Sequence, residues 1–213
     1  MTVYSLLTPN NCAVIFIDQQ PQMLFGVTSI DRQTLINNTV GLAKAAKIFG
    51  VPVILTTTQT KSFSGYMWSQ LLELFPGKEP IERTNMNPWE DEHFTAKVEQ
   101  IDRKKLVMAA LWTEVGLVFP AIQALEAGYE VYAVVDASGG TSAVAHNMGL
   151  QRTIQAGAIP VTWLQVLLEF QRDWAKRETY NPVMEVIKQH AGAYGVGAEY
   201  AHTVLNNQVP SLG

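Results

Sequence analysis

"KLVMAALWTEVGLVFPAIQALEAGYEVYAVVD", residues 105–136, decides the fold class. It opens on a near-continuous apolar run, Lys105–Leu111. A longer stretch with helical spacing, Thr113–Glu126, comes next, then Gly128, then a second apolar run, Glu130–Asp136. Runs of that kind fit strands buried on both faces, as in a parallel sheet.

The same order recurs on either side of this unit. Strands are expected at Cys12–Asp18, Val51–Thr57 and Ala158–Trp163, with a shorter extended piece at Pro80–Thr84. Helices are expected at Asp31–Phe49, Tyr66–Phe75, Glu90–Gln100, Ser142–Gln155, Leu164–Arg177 and Pro182–His190. In the first of these, Leu35, Val40, Leu42, Ala43, Ala46 and Phe49 form an apolar face. Gly50, Gly128 and Gly157 stand where helices stop and strands begin. The repeated order predicts a three-layer α/β/α sandwich, doubly wound around a mainly parallel sheet, with right-handed crossovers. The 213 residues fit one domain, 1–213. The Gly-rich, weakly patterned tail, 191–213, is expected to be a C-terminal arm packed on a neighbour.

Composition narrows the function classes. Charged residues make up 16% of the chain, against roughly 25% in an average soluble protein. A surface so poor in charge points to coverage by another subunit, hence a homo-oligomer. The net charge of -4 lacks the basic footprint of a nucleic-acid binder. No stretch approaches the ~18 to 20 apolar residues of a membrane span. The N-terminus shows no signal-peptide pattern, so a soluble cytoplasmic protein is expected. One cysteine, Cys12, rules out an internal disulfide and a cysteine zinc site. It opens a strand, the wrong end for catalysis. His93, His146, His190 and His202 make no metal-ligand pair, and the glycines at 192–197 follow a helix rather than a strand. No metal or cofactor is expected.

In an open parallel sheet, ligands bind beyond the carboxyl ends of the strands. Those ends carry Asp18-Gln19-Gln20, Thr56-Thr57-Thr58, Arg83, Trp112-Thr113-Glu114 and Asp136 through Thr141. Asp18 emerges from a buried strand, where burial and a nearby cation tune an acid/base group. A capping role in the next turn is the other reading. Asp136, before Ser-Gly-Gly-Thr-Ser, reads as a capping residue. Arg83, close to Glu79 and Glu82, reads by itself as half of a surface ion pair.

Taken together, "VIFIDQQ", "VPVILTTT", "IERTNMNPWEDEHF", the stretch from Trp112 to Ser142, "QAGAIPVTW" and "EFQRDW" resemble, in order, the isochorismatase-like hydrolases of the cysteine hydrolase superfamily. The resemblance covers about residues 8 to 175 and is to the YcaC-type branch. It implies a doubly wound α/β sandwich and a catalytic Asp, basic residue and Cys. These map to Asp18, Arg83 and Gly116, so the nucleophile position holds no side chain. It further implies a non-proline cis peptide at Trp112–Thr113 and a ring-shaped octamer built from tetramers.

Gly116 cannot form an acyl-enzyme. Isochorismatases proper resemble this arrangement, with an Asp that protonates an enol ether carbon before water attacks the oxocarbenium ion. Three readings stay open: a hydrolase of a small molecule without a covalent nucleophile, a Cys-to-Gly disabled amidase, and a non-enzymatic pseudo-hydrolase acting as a binding or scaffold protein. Expected substrate-binding residues are Gln20, Phe25, Trp89, Trp112 and Thr113, with Phe119 behind the aromatics and Thr57 and Asn87 as further polar groups; for the aromatics a core role is the alternative. Backbone N–H groups after Thr113, left open by Gly116, are expected to receive an anionic group. Thr113 and Ser138 have no His at readable spacing and are not read as nucleophiles.

Overall fold

Six strands pair in parallel in the order β3-β2-β1-β4-β5-β6. They are β1 (Cys12–Ile17), β2 (Val53–Thr58), β3 (Ile81–Arg83), β4 (Lys105–Ala110), β5 (Glu130–Val134) and β6 (Ile159–Val161). The computed structural model describes residues 5–205. Helices α1 (Pro21–Phe25), α2 (Arg32–Ile48), α3 (Ser69–Leu72), α4 (Glu92–Ile101), α5 (Val118–Glu126), α6 (Ala143–Gln155), α7 (Trp163–Gln171), α8 (Arg177–His190) and α9 (Ala193–Tyr200) connect and cover them.

Strand alternation sorts the two cores. Val14, Phe16, Val53, Leu55, Val107 and Ala109 face α2, α3, α7 and α8, meeting Leu35, Leu42, Leu71, Phe170 and Ile187. Their neighbours Ala13, Ile15, Ile54, Leu106 and Met108 face α4 and α5, meeting Phe94, Val98 and Ala121. Every residue of β1, β2 and β4 is buried, which is why these segments read as unbroken apolar runs. The three-layer, doubly wound architecture is the one expected.

Element ends follow local chemistry. Asp31 caps α2 by accepting the Thr34 N–H at 2.8 Å, and Ser142 caps α6 by accepting the Ala145 N–H at 3.0 Å. The helix expected at Tyr66–Phe75 shrinks to α3, because Trp68 stays extended and donates its N–H to the Gln19 carbonyl. The helix expected to reach Arg177 stops at Gln171, where Arg172 turns to φ 56°. The short helix α1 is an addition to the expected elements. The segment expected as an arm is helical from Ala193 to Tyr200 and lies on its own chain, with Lys188 paired to Glu199 at 2.6 Å; residues 206–213 fall outside the described part. No helix among the described residues is long and apolar enough to cross a membrane.

At the amino end of the sheet, buried Lys105 donates to the Ser5 hydroxyl (2.8 Å), the Leu6 carbonyl (3.3 Å) and the Tyr132 hydroxyl (3.0 Å). That holds the incoming chain across the strand starts. Cys12 sits beside it, buried, its thiol donating to the Thr8 carbonyl; burial pushes its pKa up to about 12.

Leu42 lies fully buried where α2 meets the sheet. Leu42→Ala is expected to lower the unfolding free energy by about 2–5 kcal/mol, read from urea denaturation.

Candidate active site

The parallel register places Ile17 beside both Thr56 and Ala110, so Asp18 leaves the sheet between the ends of β2 and β4. Asp18 still donates its N–H to the Thr56 carbonyl at 3.0 Å, then turns to φ 60°, ending β1 one residue earlier than expected. Aspartate tolerates this left-handed region better than most residues. Arg83, from β3, reaches across β2 to meet it.

Arg83 Nη2 donates to Asp18 Oδ1 at 2.5 Å, and both residues are 3% exposed. The rest of the guanidinium is committed as well: Nε donates to Thr56 Oγ1 at 3.2 Å and Nη1 to the Asn85 carbonyl. The surface ion pair with Glu79 or Glu82 is not what forms. Glu82, next in sequence, points to the opposite face, where it accepts from Thr57 Oγ1 at 2.8 Å. Burial pushes the Asp18 carboxyl up to about 6, and Arg83 pulls in the other direction without cancelling it. The result is a carboxyl that takes and releases a proton near neutral pH.

Gly116 lies in the turn that leaves β4, a wide helical turn over Thr113–Leu117 leading into α5. A Cβ built on Gly116 would stand 2.5 Å from the Leu111 carbonyl oxygen and 3.0 Å from its carbon. Backbone fills the place where a nucleophile's side chain would start. The cis peptide falls at Leu111–Trp112, one bond before the expected Trp112–Thr113. Trp112 already belongs to the helical turn, since its carbonyl accepts the N–H groups of Val115 (3.0 Å) and Gly116 (2.6 Å). Those same bonds correct the expected anion dock. With Thr113 N–H donated to the Gly139 carbonyl, three amides at this helix start are engaged within the chain.

The other candidates divide. Trp112 borders the turn, half-buried, its indole N–H donated to the Met23 carbonyl at 2.7 Å and its ring against Gly26. Phe25, on α1 just after Asp18, is 65% exposed. Gln20 is buried and spent, joined to the Thr58 N–H and the Thr58 and Gly65 carbonyls. Asn87 is likewise committed, to Trp89 N–H and Gln123. Trp89, partly buried, packs edge-on to Phe94 and Tyr129 against the core on the α4/α5 side of the sheet. Phe119 is partly buried. Asp136 accepts the Trp163 N–H at 2.9 Å at the start of α7, whose N-cap is Thr162, while Ser142 caps the helix that follows the Ser-Gly-Gly-Thr-Ser stretch.

Two features escaped the sequence. Thr56 orients Arg83, a role that only the β2–β3 register reveals. And Thr113 does have a histidine partner: His146, 33 residues on, brings Nδ1 to 2.7 Å of its hydroxyl. Burial lowers the His146 pKa, opposed by Glu114. Thr113 is fully buried, and the contact ties the turn to α6. Ser138 is occupied between Ala110 N–H and the Val134 carbonyl.

A buried carboxylate–guanidinium pair thus stands at the carboxyl ends of β1 and β3, next to the point where strand order reverses. Residues 12–165 match the model of the isochorismatase domain. The chain belongs to the isochorismatase family. It is 37% identical over 172 residues to the probable hydrolase YcaC of Escherichia coli K12, covering 80% of this chain and 83% of the relative. Among solved structures, YcaC from Pseudomonas aeruginosa, bound to hexane-2,5-diol and covalent acrylamide, superposes with a TM-score of 0.91 at 32% identity, over 95% of this chain and 100% of that one. The E. coli YcaC structure, an octameric hydrolase of unknown specificity, gives 0.89 at 32% identity, over 95% of this chain and 99% of that one.

The fit around Gly116 carries a direct expectation. Gly116→Ala must displace backbone, so it is expected to cost about 1–3 kcal/mol of stability in a denaturant titration. An unchanged midpoint would mean that the Leu111 carbonyl yields freely.

Proposed function

We propose that this chain is an isochorismatase-family hydrolase of a small molecule that works without a covalent nucleophile, with Asp18 as acid/base. One observation carries the reading: a buried Asp18–Arg83 pair stands near a position, 116, that has neither a side chain nor the space for one. An enol ether suits such a site. Protonated Asp18 gives its proton to the terminal alkene carbon, and the π electrons form that C–H bond. The oxocarbenium ion left behind takes up water. The resulting hemiketal loses its alcohol to give a ketone, and the proton released by water returns to Asp18. Arg83 stabilises the carboxylate while the proton is away.

A carboxyl near 6 suits this role, because it retains a protonated fraction at neutral pH. The acid form is the active one, so the rate should be full below about 6 and fall about tenfold per pH unit above it. Asp18→Asn should lower turnover of isochorismate or a simple vinyl ether by about 10²–10⁴-fold, with circular dichroism unchanged. Equal turnover in the Asn variant would sink the reading. Activity seen only after Gly116→Cys, on amides or esters, would make the chain a disabled cysteine amidase. The engaged amides at Thr113, Val115 and Gly116 favour a second reading, a pseudo-hydrolase used for binding or as a scaffold. Such a protein would respond to neither variant.

We also infer a cytoplasmic homo-oligomer, the octamer of the E. coli relative being the model for it. The low charge content and the exposed Phe25, Tyr66, Val144 and Val196 support this. Light scattering of the purified chain should give a mass several times 23.6 kDa; a monomer would count against it.

A further inference from the structure

Arginine holds a carboxylate most firmly when two parallel N–H groups grip both oxygens. The guanidinium offers two such forks, one from Nε with Nη2 and one from Nη1 with Nη2. At Asp18 neither fork closes: Nη2 alone donates, to Oδ1, at 2.5 Å. The second nitrogen of each fork is engaged elsewhere. Nη1 donates to the Asn85 carbonyl, and Nε donates to Thr56 Oγ1 at 3.2 Å. Nε carries a single hydrogen, so the threonine takes all that this atom has to give.

Thr56 is itself fixed. It is fully buried, and its hydroxyl donates to the Ile81 carbonyl at 2.8 Å, so its oxygen faces Arg83 as an acceptor. Asp18 Oδ2 has no donor among the described residues. What solvent reaches the pair touches Asp18, whose side chain is 4% exposed against 0% for Arg83. Burial pushes the Asp18 carboxyl up to about 6; among charged groups, Arg83 opposes that and Glu82 adds to it. Glu114, in the turn after β4, is bound instead to Thr141.

We propose that Thr56 is a positioning residue: by claiming Nε it confines Arg83 to one oxygen of Asp18 and leaves Oδ2 free to pass the proton to substrate. This rests on Asp18 as the acid of the reaction. A grip on both oxygens would stabilise the carboxylate further and work against burial. The single bond leaves burial the larger influence.

NMR titration of the full chain with carboxyl-labelled aspartate tests this without substrate, the Asp18 signal being the one lost in Asp18→Asn. Thr56→Val removes the acceptor and frees Nε to complete the fork, so the Asp18 pKa should fall by about one unit or more. Thr56→Ser keeps the hydroxyl and should hold the parent value. Thr56→Ala replaces the valine variant if that one does not fold. With a simple vinyl ether as probe, the pH above which kcat declines should move down by the same amount. An unchanged or raised Asp18 pKa in Thr56→Val overturns the proposal, as does a serine variant that behaves like valine. A rate profile that stays put while the carboxyl shifts overturns it too. Full turnover in Asp18→Asn defeats the acid role and this proposal with it, whereas a carboxyl indifferent to Thr56 defeats this proposal alone.

Discussion

Pairing of β1 directly with β4 is the constraint on which the site depends. From β1 the chain builds outward through β2 and β3; from β4 it builds the other way through β5 and β6. Loops leaving the two central strands therefore diverge, and a crevice opens between them. Asp18 and Leu111 are the residues that step out of the sheet at that point. Arg83 starts two strands away, roughly 10 Å at the usual interstrand spacing. Only a long cationic side chain spans that distance, and Thr56, on the strand between, holds it on course.

Around this crevice two opposing demands meet. Burial disfavours a charged Asp18, while Arg83 favours it; the balance leaves the carboxyl more easily protonated than an exposed one. The resemblance would put a nucleophile at position 116, which is glycine in this chain. Here the Leu111 carbonyl occupies the space next to that Cα. The glycine is thus part of how the turn closes, and a side chain cannot be added without moving backbone. That is why the chemistry proposed rests on a proton rather than on a covalent bond.

The sheet was legible because burial on both faces leaves little room for polar residues. Cys12–Ile17 and Lys105–Ala110 stand out as strands, and Asp18 as the first polar residue beyond one. The ends of elements were less so. Whether Trp68 enters a helix depends on the Gln19 carbonyl, which lies far away in sequence. The partners of the polar candidates were hidden for a similar reason: Gln20, Thr57 and Asn87 stand at strand or loop ends, and the groups they hydrogen-bond come from other segments. The Thr113–His146 contact is of the same kind, since nothing in either local pattern refers to the other. Trp89 could be read as pocket wall or core from its type alone, and its contacts with Phe94 and Tyr129 are those of the core.

Cys12 carries a consequence for how the molecule ages. It is the chain's one cysteine, and its sulfur is enclosed beside Lys105 and the Thr8 carbonyl. With its pKa pushed up to about 12, almost none of it exists as thiolate. Thiolate is the form that peroxides oxidise and alkylating agents trap. This chain keeps its single sulfhydryl at the opposite end of the sheet from Asp18, locked in the inert form, so oxidative stress has no cysteine through which to silence it.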